Sequence, residues 1–201
     1  MKILIIGGFL GSGKTSFLLR LIRHMTEDLH FPKPVILENE IGAVPVDDKV
    51  LGGSGYQVRG LFGGCICCTL AGDLPETVRE IERDLQPEWL LIEATGTAFP
   101  GSVRDRIRQT LGYDSRIICL ADAQRWKRLS SAMGDMMRWQ LEDADLILVN
   151  TADLVTPEEL EETAAAVRAL NPAATVCPAA VTQEIPEDLI DPLLAGISLE
   201  E

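Results

Sequence analysis

Residues 8–15 read Gly-Phe-Leu-Gly-Ser-Gly-Lys-Thr, and no other stretch of the 201-residue chain constrains its fold as tightly. The apolar run Lys2–Ile6 before it has the composition of a buried strand. After it, Phe17, Leu18, Leu21, Ile22 and Met25 recur at helical spacing over Thr15–Met25. A strand, a glycine turn and a helix opening on Lys-Thr are the context that G-x-x-x-x-G-K-[ST] requires to act as a phosphate loop. Glycines let backbone N–H groups curl around phosphate oxygens, and the helix N-terminus adds a favourable dipole. The expected phosphate-binding residues are therefore Gly11, Ser12, Gly13, Lys14, Thr15 and Ser16. Lys14 is expected to reach the β- and γ-phosphates, and the Thr15 hydroxyl to ligate Mg²⁺.

The rest of the chain alternates strands and helices. Strands are expected at Pro34–Leu37, Tyr56–Phe62, Trp89–Ile92, Arg116–Leu120, Leu146–Val149 and Ala174–Cys177. Helices are expected at Asp73–Leu85, Ser102–Leu111 and Met133–Leu141, with a short one after Pro186. Thr156-Pro157-Glu158-Glu159 is a helix start, with an N-cap, a first-turn proline and first-turn acids; Asn171-Pro172 ends that helix near Leu170. Nearly all the strands are continuous apolar runs, which implies an α/β fold with a mostly parallel sheet covered by helices on both faces. No linker or repeat divides the chain. The expectation is a single phosphate-loop domain over residues 1–201, with Leu51–Gly55 a glycine-rich loop and residues 197–201 an acidic, frayed tail.

Composition excludes several function classes. The formal charge of −13 disfavours nonspecific nucleic-acid binding, which rests on Lys and Arg neutralising phosphates, and disfavours anionic membrane surfaces. No apolar run approaches the roughly 20 residues that span a bilayer, and the N-terminal apolar stretch is too short for a signal peptide. The expected location is the cytoplasm. In that setting the clustered Cys65, Cys67 and Cys68 point to metal or redox chemistry rather than a disulfide framework. Cys119 and Cys177, alone in apolar runs, read as core.

Three further stretches carry chemistry. Glu93 ends the run Trp89–Ile92, where a carboxylate belongs that holds Mg²⁺ or its waters; Ala94-Thr95-Gly96 follows as a turn able to present an N–H to a γ-phosphate. Glu93 joins Lys14 and Thr15 as a candidate catalytic residue. Leu146–Val149 leads into Asn150-Thr151-Ala152-Asp153, which matches a guanine-reading N-K-x-D stretch except at Thr151. Asn150 and Asp153 favour GTP, and ATP stays open because Thr151 lacks the long stem of lysine. Gly63-Gly64-Cys65-Ile66-Cys67-Cys68-Thr69 places three thiols on a glycine-hinged loop. Thiolates suit Zn²⁺ and other borderline metals; a redox pair, a shared iron–sulfur cluster and a buried structural role are the alternatives. Glu40 is a candidate additional metal ligand, and Asp47 or Asp48 a candidate on the Mg²⁺ side of the nucleotide; a solvated acidic loop is the alternative.

Gly8–Thr15, Glu38-Asn39-Glu40-Ile41-Gly42, Gly64-Cys65-Ile66-Cys67-Cys68-Thr69 and Glu93-Ala94-Thr95-Gly96, in this order, resemble the CobW-like family of metallochaperone GTPases, relatives of UreG and HypB. The match spans about residues 1–155. The resemblance implies slow GTP hydrolysis, Zn²⁺, Co²⁺ or Ni²⁺ at Cys65, Cys67 and Cys68, guanine contacts from Asn150 and Asp153, and nucleotide-dependent dimerisation. It also implies a client metalloenzyme as partner. Three departures stand out: Ala43 where the family often has Glu, Thr151 where it has Lys, and a chain expected to lack the family's second, C-terminal domain. A small-molecule kinase, with Arg104, Arg106 and Arg108 as acceptor-site candidates, is the rival enzyme reading. A nucleotide switch that activates a partner without carrying metal is the other rival.

Overall fold

The structure, a computed structural model, describes residues 1–38, 57–60 and 73–196. Among the described residues seven strands form one sheet: β1 (Lys2–Gly8), β2 (Val35–Glu38), β3 (Gln57–Gly60), β4 (Trp89–Glu93), β5 (Ser115–Asp122), β6 (Leu146–Asn150) and β7 (Thr175–Pro178). Their order is β3-β2-β4-β1-β5-β6-β7, and every pairing is parallel. β1 lies in the middle, and the chain winds away from it in both directions. The carboxyl ends of β1, β4 and β5 thus border the crevice where open α/β sheets bind their ligands.

Alternate residues along each strand supply two cores. Ile3 and Ile5 of β1 face a layer built from α2 (Asp73–Leu85), α3 (Pro100–Leu111), α4 (Trp126–Leu141) and α5 (Pro157–Leu170). Leu4 and Ile6 face the opposite layer, built from α1 (Lys14–Arg23) and α6 (Glu187–Ala195). The double burial is why the strands read as continuous apolar runs rather than as alternating ones. Among the described residues no helix is long and apolar enough to cross a membrane.

The expected elements are all present; α2 and α5 have the expected ends, and others are shifted. β3 is Gln57–Gly60, inside the expected Tyr56–Phe62, and β7 begins and ends one residue later than expected. α4 starts at Trp126, not Met133. Ser130, Ser131 and Gly134 interrupt the helical pattern, and the backbone does leave helical geometry at Met133, with φ −142° and ψ 38°. Burial of Trp126 against the first core keeps the earlier turns helical despite those residues. At α5 the expected start holds in detail: Thr156 Oγ1 accepts from the Glu159 N–H, and the Glu159 carboxylate accepts from the Thr156 N–H. Residues 39–56, 61–72 and 197–201 fall outside the described set. With them go the glycine-rich loop, the tail, Glu40, Asp47, Asp48 and the three clustered cysteines.

Candidate functional site: the phosphate loop and its neighbours

The loop between β1 and α1 turns through three glycines with positive φ: Gly8 at 133°, Gly11 at 73° and Gly13 at 99°. A side chain at Gly13 would also collide with its surroundings, because an added Cβ would stand 2.5 Å from Asn150 Nδ2. Lys14, the first residue of α1, is 7% exposed and donates to the carbonyls of Gly8 at 3.0 Å and Phe9 at 3.3 Å. Its ammonium is thereby folded back over the loop. Ser12 Oγ is buried, with no hydrogen-bond partner among the described residues. A buried hydroxyl left unpaired is costly. In a ring of backbone donors it is the kind of atom that a phosphate oxygen satisfies.

Glu93 arrives from the neighbouring strand by register. Ile6 of β1 pairs with Glu93 of β4, so the carboxylate emerges beside the glycine loop. Thr15 Oγ1 donates to Glu93 Oε1 at 3.0 Å. A hydroxyl and a carboxylate in contact beside a lysine form an oxygen donor set that suits Mg²⁺. On β2, Glu38 is register-paired with Glu93, which brings a second acid to the same sheet end. The following turn is packed against the loop: a Cβ on Gly96 would lie 2.5 Å from the Leu10 nitrogen. Buried Gln140 of α4 donates its side-chain amide to the Gly96 carbonyl.

The expected base-reading residues sit one strand further along. Asn150 is buried at the end of β6; its amide donates to the Ser12 carbonyl at 2.8 Å and accepts from the Val181 N–H at 3.0 Å. It therefore ties the phosphate loop to the segment after β7. Asp153 is exposed and accepts from Gln183 Nε2 at 3.0 Å. Thr151 adopts a left-handed conformation, φ 62°, and donates to Asp122 Oδ1 at 3.1 Å.

Two residues that sequence reasoning passed over complete this wall. Asp122, at the end of β5, receives Arg125 Nε at 2.5 Å, and Arg125 Nη2 reaches the Leu10 carbonyl at 2.9 Å. The chain Thr151–Asp122–Arg125–Leu10 links the base-side turn to the phosphate loop. Thr151 is too short to reach the loop itself. Asp122 carries a sequence signal, an acid ending an apolar strand; Arg125 carries none, since its role depends on packing.

The remaining candidates fall elsewhere. Arg104 pairs with Asp143 at 3.0 Å and Arg108 with Asp114 at 3.7 Å. Cys119 is fully buried in β5, donates to the Gln140 carbonyl at 3.1 Å, and has its thiol pKa pushed up to about 12 by burial. Cys177 is partly buried against the second core. Both cysteines thus pack rather than react.

A family model described as CobW/HypB/UreG, nucleotide-binding domain, matches residues 2–178. The zinc chaperone YeiR of Escherichia coli (strain K12) is 34% identical over 159 residues, which cover 77% of this chain and 47% of YeiR. The zinc chaperone YjiA of the same organism is 31% identical over 188 residues, 88% of this chain and 57% of YjiA. The crystal structure of Zn(II)-bound YjiA GTPase from E. coli is similar with TM-score 0.63 at 25% identity, covering 88% of this chain and 57% of that one. The hydrogenase maturation factor HypB from Archaeoglobus fulgidus shares the fold, with TM-score 0.68 at 17% identity, over 98% of this chain and 89% of HypB. The chain spans about half the length of the curated relatives it matches.

Proposed function

The chain belongs to the CobW/HypB/UreG family of nucleotide-binding domains, and from that premise we propose that it is a GTP-hydrolysing metallochaperone. The observation that carries the nucleotide half is the contact of Thr15 with Glu93 beside the buried Lys14, at the carboxyl end of β1. The cargo half is supported by the clustered thiols of Cys65, Cys67 and Cys68, with Glu40 proposed as a further ligand, and by the names of the relatives, zinc chaperones among them. The cargo is Zn²⁺, or Co²⁺ or Ni²⁺ of similar ligand preference. A client metalloenzyme receives it, and a nucleotide-dependent homodimer is the proposed working form.

In the reaction, water attacks the γ-phosphorus and the bond to the β–γ bridging oxygen breaks, giving GDP and phosphate. There is little covalent work for the protein, so positioning and charge carry the rate. Lys14 is held over the loop by the Gly8 and Phe9 carbonyls, so its charge is in place where negative charge develops. The loop amides and Ser12 Oγ cradle the phosphates, and Asn150 fixes the loop through the Ser12 carbonyl. Thr15 and Glu93 are the residues that would hold Mg²⁺, which would supply positive charge to offset the negative charge of the phosphates. Asp153, with Asp47 as a further nucleotide-side residue, is proposed to read the guanine edge.

The test is a Zn²⁺ titration of reduced protein against a competing chelator, in Mg·GTP and again in Mg·GDP. A tenfold or larger difference in affinity, about 1.4 kcal/mol of coupling, is expected. Replacing Cys65, Cys67 and Cys68 by Ser is expected to abolish the difference. Coincident curves in the two nucleotides would sink the chaperone reading.

A further inference from the structure

α1 does not end cleanly at Arg23. It runs on through a wider turn, His24–Asp28, in which the Leu29 N–H bonds the His24 carbonyl five residues back at 3.1 Å. Turns of this kind insert an extra residue into a helix and recur at functional sites. Here the turn sets His24 into the seam between α1 and α6, where it is 5% exposed.

Three carboxylates from two elements converge on this imidazole. Asp28 Oδ2 lies 3.1 Å and Glu187 Oε1 3.5 Å from Nδ1, while Asp191 Oδ1 lies 2.7 Å from Nε2. A neutral imidazole has one N–H for its two nitrogens. The shorter contact assigns that hydrogen to Nε2, donated to Asp191. With Nδ1 bare, its lone pair would face two anionic oxygens. Burial opposes a charged ring, but the hydrogen bonds to Asp191 and Asp28 outweigh it and raise the pKa, so a second proton is favoured at Nδ1. A divalent cation there would take that proton's place among the three acids.

We propose that His24, Asp28 and Glu187 form a divalent-cation site separate from the cysteine loop, with Asp191 orienting the imidazole. The distances fit. Ligands about 2.0–2.1 Å from a tetrahedral metal stand about 3.4 Å apart, and the two separations at Nδ1 are 3.1 and 3.5 Å. All three ligand atoms lie within 4.8 Å of one another. A carboxylate on the far nitrogen of a ligating histidine is the usual support for that ligand, fixing its tautomer and raising its basicity. A cavity of about 680 Å³, lined by His24, Asp28 and Glu187 and also by Glu27, Arg20 and Arg23, gives an ion its approach. One nitrogen and two oxygens, without sulfur, suit Zn²⁺, Co²⁺ or Mn²⁺ rather than softer ions. The site bridges α1, which carries Lys14 and Thr15, to α6 on the same face.

The test uses the full chain with Cys65, Cys67 and Cys68 replaced by Ser, so that no clustered thiolate remains. Titrated with Zn²⁺, this variant is expected to bind one equivalent. His24→Gln added to it is expected to abolish that binding, and Glu187→Gln, at an exposed position, to weaken it at least tenfold. Co²⁺ in place of Zn²⁺ is expected to give visible ligand-field bands without a sulfur charge-transfer band. Nucleotide binding by each variant reports that the fold is intact, and Glu187→Gln decides the matter if His24→Gln misfolds. Absence of the equivalent from the serine variant, or its indifference to Glu187→Gln, overturns the proposal. The nucleotide-linked titration of the cysteine loop is untouched by either result.

Discussion

At the residue scale, the phosphate loop is held by contacts that single atoms can break. Lys14→Ala removes a cation aimed at developing charge and is expected to lower GTP turnover by about 10²–10³-fold, measured by phosphate release. Gly13→Ala is different in kind. It places a Cβ at φ 99° and 2.5 Å from Asn150 Nδ2, so it is expected to lower stability by about 1–3 kcal/mol and to loosen the base-side turn as well. Urea denaturation measures the first effect and nucleotide affinity the second. Cys119 makes an alkaline prediction. Its thiol has an ordinary value of 9.0 and is pushed up to about 12 in the fold. Between those values the unfolded chain releases the proton and the folded chain keeps it, so stability falls as pH rises from 9 toward 12. Urea midpoints at pH 8 and pH 10 are expected to differ less in Cys119→Ala than in the parent protein.

At the element scale, caps and turns decide where helices begin. Thr156→Ala removes the half of the α5 capping box in which the hydroxyl accepts from the Glu159 N–H, leaves the backbone N–H at 156 for the Glu159 carboxylate, and is expected to cost about 1 kcal/mol, read as a shift in the urea midpoint. That box was legible because its signal is local: Thr, Pro and Glu at fixed spacing. The strand–loop–helix unit at Gly8–Thr15 was legible for the same reason, and so was Glu93 at the end of an apolar run. Arg125 was not, because its reach to the Leu10 carbonyl comes from the approach of α4 to the loop, 115 residues away in sequence. Nor was the linking role of Asn150. A motif names the residue type, but only packing shows that its amide spans from Ser12 to Val181. The start of α4 was misplaced because weak helix formers there are overruled by the burial of Trp126. The His24 seam left no trace in the sequence, since its acids come from both ends of the chain.

At the scale of the whole molecule, nucleotide and fold are coupled through mass action. A ligand at one hundred times its dissociation constant adds about 2.7 kcal/mol to the stability of the form that binds it. Mg·GTP or Mg·GDP is therefore expected to raise the melting temperature, and the rise is expected to vanish in Lys14→Ala. Scanning calorimetry with and without nucleotide checks this. The position of β1 has a further consequence, for the order of events during folding. It is the earliest strand in the chain, yet its partners β4 and β5 begin at residues 89 and 115. Ile3, Leu4, Ile5 and Ile6 must wait, apolar and unpaired, until more than half of the chain is available to flank them. Loop closure over such separations makes refolding slow and leaves a sticky early segment exposed. Refolding from urea is therefore expected to lose yield to aggregation as the protein concentration rises, which light scattering during dilution measures.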